Sequence, residues 1–275
     1  MITLHVLIEN TARPGFTPQH GLSLHITTPR HRLLFDVGQN GLFISHAGKM
    51  GLSLSQVDAM ILSHGHFDHG GGIADFFAVN QRAYLYAAPG AFAPHYARRG
   101  DGTVESIGLE PALGRHRRVQ FAGPRQKLDE ELTLFAGVTG RELLSPAGNN
   151  MLIEREGQLA PDPFEHEQSL LITAAGSPAV LVAGCAHRGI VNIVTRARDI
   201  LGRDPEIVVG GFHLSRPREG SEVDPAVVDA LADRLSQFSS RFYTCHCTGR
   251  GPYERLRQRL GEQIGYLSTG ERLTV

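Results

Sequence analysis

The stretch Ser63-His64-Gly65-His66-Phe67-Asp68-His69-Gly70-Gly71-Gly72 places three imidazoles and a carboxylate within six residues, behind the apolar run Ala59-Met60-Ile61-Leu62. That run reads as a short buried strand, bounded by polar turn residues upstream and by glycines downstream. Imidazole and carboxylate are natural ligands of zinc, or of a divalent ion such as manganese or iron. The His-x-His spacing lets His64 and His66 converge from one extended turn. Asp68 and His69 then project elsewhere, so one loop can serve two ions. A chance His-rich surface loop is the plain alternative, and four ligand-type residues at this spacing argue against it. The stretch reads as a metal site.

Composition agrees. The chain has 275 residues, 41% hydrophobic and 20% charged, which suits a globular protein with a substantial core. A net charge of −1 lacks the basic excess expected of a nucleic-acid or membrane-surface binder. The 14 histidines are an excess that itself points to metal chemistry. Cys185, Cys245 and Cys247 cannot all pair, so a disulfide scaffold is not expected and a reducing cytoplasm is. The opening Ile2–Ile8 reads as a strand, with no basic n-region and apolar core, so a signal segment is not expected, and no apolar run reaches membrane-spanning length.

Strands are expected at 2–9, 21–28 and 32–37, the last ending in Phe35-Asp36-Val37-Gly38. Helical spacing covers 42–50 and 72–79, and a strand is expected at 83–87. Periodicity is lost over 88–114, which carries Arg98 and Arg99. This segment is either a surface excursion or a substrate-covering flap near the metals. Residues 117–122 and 127–136 read as a second set of strands. Strands at 168–173 and 179–183 come next, joined by Gly176-Ser177-Pro178. A strand then ends in Gly184-Cys185-Ala186-His187, before a helix whose apolar side is Ile190, Val191, Ile193, Val194, Ala197 and Leu201. Cys185 is either a ligand or a small core residue. Arg188 stands where that helix begins, so it either holds an anionic substrate group or pairs with a surface carboxylate. Another strand runs into Gly210-Gly211-Phe212-His213. A helix over 224–238, a strand at 241–245 leading into His246-Cys247-Thr248-Gly249, a helix from Pro252 and a strand at 266–269 close the chain.

His64-x-His66-x-Asp68-His69, entered from an apolar strand, resembles the defining signature of the metallo-β-lactamase superfamily. The resemblance implies an α/β (α+β) fold, a four-layered αββα sandwich in one domain over 1–275, with the metals at one edge. It implies that His64, His66 and His187 hold a first divalent ion, and Asp68, His69 and His246 a second, with zinc favoured over manganese or iron. Asp36 is either a turn residue or, as in the superfamily, an acceptor that orients the ligands. Many members have a bridging Asp after the strand that here ends at His213, and this chain has none before Asp224. His213 is therefore an added ligand, a group that binds substrate or protonates a leaving group, or a residue outside the chemistry.

Glu9-Asn10, His20-Gly21-Leu22-Ser23, Glu167-Gln168-Ser169-Leu170 and the segments around His187, His213 and His246 are similar, in that order, to a dihydropterin-related branch of the superfamily. That branch includes a synthase of methanopterin assembly. The expectation is a two-metal hydrolase of an ester or phosphoester of a small anionic substrate, with Asp68 orienting the nucleophile. A dihydropterin-linked transferase is the alternative, and a non-catalytic metal or ligand sensor a third class. Neither nucleic acid nor membrane is expected as a partner.

Overall fold

In a computed structural model of the chain, residues 1–216 and 220–275 are described. Among them, two seven-stranded sheets face each other. The first runs Arg272–Thr274, Thr3–Ile8, Ser23–Thr27, Arg32–Phe35, Ala59–Ile61, Tyr84–Ala87, Val119–Phe121. The second runs Ile264–Tyr266, Arg241–Thr244, Ile207–Gly210, Val180–Val182, Gln168–Ile172, Leu132–Ala136, Arg125–Lys127. Each is antiparallel on one flank and parallel on the other.

Three apolar layers arise from the two-residue alternation of the strands. Leu24, Ile26, Phe35, Leu170 and Val182 pack between the sheets. The outer face of the first sheet is closed by the helices Leu42–Lys49 and Ile73–Val79 through Phe43, Ala47, Ile73 and Phe76. Helices Ile190–Leu201, Pro225–Leu235 and Arg250–Leu260 close the other side through Val194, Leu231 and Leu256. The result is the αββα sandwich that the sequence implied.

The helix limits have local causes. Gly202 takes a left-handed φ of 76° after Leu201, as a helix C-terminus favours. The Asp224 side chain accepts a hydrogen bond from the Ala226 N–H and Pro225 occupies the first turn, which starts the next helix.

Three expectations are corrected. The segment 88–114 is not irregular throughout: His95–Arg98 and Val104–Ser106 pair as a hairpin in a four-stranded sheet with Met151–Arg155 and Gln158–Pro161. Polar and alternating residues of mixed exposure there give no clean period. Val119–Phe121 does not join the second set of strands but adds to Tyr84–Ala87 in the first sheet. The last helix starts at Arg250, not at Pro252, because Gly249 (φ 78°) already turns the chain into it.

Parallel strands deliver their carboxyl ends to one edge of the sandwich, the usual place for a site in such sheets. Asp36, the loop after Ile61, Cys185 to His187, His213 and His246 all lie just past parallel-strand ends. Asp36, Ala186, His213 and His246 have φ of 56°, 54°, 52° and 51°, a left-handed conformation that costs about 1–3 kcal/mol per residue. Four such residues at one edge mark where the fold holds its side chains against local preference.

Candidate metal centre

The loop after Ala59–Ile61 is tied down by Asp36, which is fully buried. Asp36 accepts hydrogen bonds from the Ser63 N–H at 2.7 Å, from Ser63 Oγ at 2.7 Å and from His69 Nδ1 at 2.7 Å. The last contact puts the His69 proton on Nδ1 and leaves Nε2 facing His246. There His69 Nε2 lies 3.2 Å from His246 Nε2, and Asp68 Oδ2 lies 3.2 Å from His246 Nε2 and 3.7 Å from His69 Nε2. A second histidine pair stands beside it, His64 Nε2 and His187 Nε2, at 3.3 Å. The His66 ring packs 4.5 Å from that of His64 and 4.9 Å from that of His187.

The polar groups behind these side chains fix them in turn. Glu167 accepts from the N–H groups of His187 (2.7 Å) and Arg188 (2.9 Å), and Glu9 Oε1 accepts from the His246 N–H (2.7 Å) and from Tyr266 (2.6 Å). Asn10 Oδ1 lies 2.8 Å from His246 Nδ1. Close approach leaves no room for side chains at two glycines: a Cβ at Gly65 would meet the Ala91 carbonyl oxygen at 2.1 Å, and one at Gly184 would meet Ser63 Oγ at 2.3 Å.

The electrostatics are set by burial. Burial, then the neighbouring imidazoles, hold His64 and His187 well below the ordinary histidine range, so both rings are neutral with free lone pairs. Burial opposes a charge on His69, but Asp68 and Asp36 overcome it and push the ring up to about 9. Burial likewise opposes the Asp68 charge, yet His69 and the hydrogen bonds of His20 and His246 hold the carboxyl well below its usual range. Burial pushes Glu167 up to about 7 against its two N–H donors.

A divalent-ion pair fits these residues on two grounds. Facing Nε2 atoms at 3.2 and 3.3 Å can share at most one proton per pair, an arrangement that a cation between them satisfies. In addition, His66 Nε2, His187 Nδ1 and both ring nitrogens of His213 are buried without a hydrogen-bond partner among the described residues. Groups of this kind are costly unless something binds them.

The residues expected at the site do not all meet there. His64, His69, His187 and His246 converge with Asp68. The His66 ring joins them, but its ligand atom groups with those of His95, Asp162 and His166. His213 lines the same cleft, its ring 4.3 Å from that of His187. Arg99 also lines the cleft, paired with Glu105, whereas Arg98 is exposed on its strand and is not among the cleft residues. Arg188 departs from the expectation: its Nε donates to the Val138 carbonyl and its Nη1 to the Pro163 carbonyl, both at 2.8 Å. Its guanidinium ties two loops together and does not line the cleft.

Other residues join the site, among them Cys185, which the sequence left as either ligand or core. Cys185 is no mere core filler, since its Sγ lies 3.1 Å from His69 Nε2. His20 reaches Asp68 Oδ2 at 3.2 Å from the cleft mouth, and Arg216 lines the mouth too. Beneath the loop, Asp162 Oδ2 accepts from His95 Nδ1 (3.0 Å) and His166 Nε2 (3.1 Å), while His166 Nδ1 accepts from the Gly65 N–H (3.0 Å). This buried chain holds the peptide between His64 and His66.

The αββα sandwich with this cluster at its edge is the metallo-β-lactamase fold, and residues 17–149 match the model of the Metallo-beta-lactamase superfamily. It is similar, at 27% identity over 93% of the chain and 94% of the relative, to an uncharacterized protein of Methanocaldococcus jannaschii. It is also similar, at 26% identity over 98% of the chain and 95% of the relative, to that organism's 7,8-dihydropterin-6-methyl-4-(beta-D-ribofuranosyl)-aminobenzene-5'-phosphate synthase. Among solved structures, Tm1679, described as a metal-dependent hydrolase of the beta-lactamase superfamily, superposes with a TM-score of 0.84 at 24% identity over 100% of this chain and 99% of that one. No helix among the described residues is long and apolar enough to cross a membrane.

Proposed function

We propose that the chain is a two-metal hydrolase cleaving an ester or phosphoester bond of a small anionic substrate. The observation that carries this reading is the pair of imidazole couples, at 3.2 and 3.3 Å, whose members His187 and His246 line one cleft with Asp68. His64, His66 and His187 would hold one ion, and Asp68, His69 and His246 the other, with zinc favoured by the imidazole-rich set. Two divalent ions bound there supply an acidified water and a Lewis-acid pull on the oxygen where charge develops.

The chain's own groups do the rest. Asp36 keeps His69 in the tautomer that presents Nε2. Asp68 faces the cleft mouth, where its free oxygen lone pairs can accept a proton-bearing nucleophile's hydrogen bond and orient it. His213, whose ring nitrogens have no hydrogen-bond partner among the described residues, would donate to a leaving group. Arg99 and Arg216 line the cleft, where their guanidinium groups can donate to an anionic substrate.

A dihydropterin-linked transfer is the second reading, supported by the 26% identity to the synthase along nearly the whole chain. The deciding experiment uses chelator-stripped protein reloaded with zinc, manganese or iron. It is assayed on phosphomonoesters, phosphodiesters, carboxylic esters and lactones, with dihydropterin precursors in parallel. The hydrolase reading expects metal-dependent turnover of one ester class, lost in His66→Ala and Asp68→Ala. Product formed only with the pterin precursors would replace it by the transferase reading.

A further inference from the structure

Three ligands per ion leave each cation short of the four that zinc takes in a closed site. The strand that runs to His213 has no carboxylate to share between the ions. It ends in Gly210-Gly211, and a Cβ at Gly211 would lie 2.4 Å from Cys247 Sγ and 3.3 Å from the Gly184 carbonyl oxygen. The Cys247 sulfur therefore fills the space in which a side chain at Gly211 would stand.

One side chain belongs to both imidazole clusters. The ligand atoms of His64, Cys185 and His187 lie within 4.8 Å of one another, and so do those of His69, Cys185 and His246. Cys185 Sγ is 3.1 Å from His69 Nε2, and the residue is 3% exposed on the cleft wall. Its position is dictated by the chain. Gly184 brings the backbone against Ser63 and His64, and past the strand end the left-handed turn at Ala186 leaves the ligand atoms of Cys185 and His187 within 4.8 Å of each other and of His64. A second observation points to a ligand at the same spot. His213, 6% exposed and with both ring nitrogens unpartnered among the described residues, brings a nitrogen within 4.8 Å of the ligand atoms of Cys185 and Cys247.

We propose that Cys185 binds as a thiolate shared between the two cations, taking the place of a bridging carboxylate. The Cys185 S–H bond gives its proton to solvent as the sulfur–metal bonds form, with no change of oxidation state. This assignment rests on the two-ion reading above. A shared thiolate makes the centre softer than a histidine–carboxylate site and biases it toward zinc and away from manganese.

The test is spectroscopic. Chelator-stripped protein is titrated with cobalt(II), following bound equivalents together with the near-ultraviolet thiolate-to-cobalt charge-transfer band. X-ray absorption of the zinc-loaded wild type is measured alongside and needs no variant. The expected result is a charge-transfer band that grows with both equivalents, is absent in Cys185→Ser and remains in Cys245→Ser and Cys247→Ser. X-ray absorption should find about one sulfur per zinc at about 2.3 Å, since one shared sulfur neighbours both ions. Two bound equivalents with no thiolate band, or a band kept in Cys185→Ser and lost in Cys247→Ser, would overturn the assignment and leave the two-ion reading intact. No cobalt bound at all would overturn both.

Discussion

Replacing Asp36 by Asn should weaken the second ion's binding while leaving the backbone in place. Asn tolerates the left-handed φ of 56° that Asp36 adopts, so the change isolates the carboxylate's chemistry. The Asn oxygen can still accept the Ser63 N–H. Its NH2 group would then stand where Oδ2 accepts from Ser63 Oγ and His69 Nδ1, both at 2.7 Å. A donor facing Nδ1–H is repulsive, and the ring escapes by moving its proton to Nε2, the atom that faces His246 and Cys185 at 3.2 and 3.1 Å. That tautomer has no lone pair for a cation. Removing the partner of a metal-ligating histidine typically costs 10- to 100-fold in affinity, or about 1.4–2.7 kcal/mol. The assay is competition for zinc against a chromophoric chelator, with thermal melting of the stripped protein as a check on folding. Weakening of one of two binding steps by about that factor is expected. Affinities within about twofold of wild type for both steps would refute the tautomer argument.

The same geometry fixes three further outcomes. Glu167 binds its proton up to about pH 7 when folded, against an ordinary value of 4.5, so the folded state gains stability from it at low pH and loses it as pH rises through that window. Urea unfolding in chelator should show wild type losing about 3 kcal/mol more than Glu167→Gln between pH 4.5 and 7, and parallel slopes would contradict the burial of this charge. Asp162→Ala leaves the ring donors of His95 and His166 without an acceptor and should destabilise the protein by about 2–6 kcal/mol in urea, one to three per orphaned group. Arg99→Gln should raise KM for an anionic substrate about tenfold without changing metal content, because a charge-assisted contact at the mouth is lost; an equal loss on a neutral ester would instead mark a structural role for its pairing with Glu105.

What can be read along the chain is what the chain encodes locally. The apolar run into Ser63–Gly72 and the strand-end histidines at 187, 213 and 246 carry their signal within a few neighbours, and the fold gathers them at one edge. The His95–Asp162–His166 chain is invisible in the sequence because its members lie 67 residues apart across one contact, and His166 meets Gly65 across 101. Cys185 reads equally well as core, since an apolar strand surrounds it and only the approach of the 63–69 loop makes it a neighbour of His69. Arg188 misleads because a helix start favours an anion, while the carbonyls of Val138 and Pro163, brought in from distant loops, satisfy its guanidinium instead. The hairpin His95–Arg98 and Val104–Ser106 escapes a period-two reading because its strands are only four and three residues long and mostly polar.

The measurement that bears most directly on the metal centre is the divalent-metal content of the protein, purified without chelator and analysed by mass spectrometry beside His66→Ala and Asp68→Ala. Two imidazole couples and Asp68 around one cleft predict close to two ions per chain, with at least one lost in each variant and turnover abolished by chelator. A chain that carries no divalent metal and keeps full activity in chelator would contradict the metal centre itself.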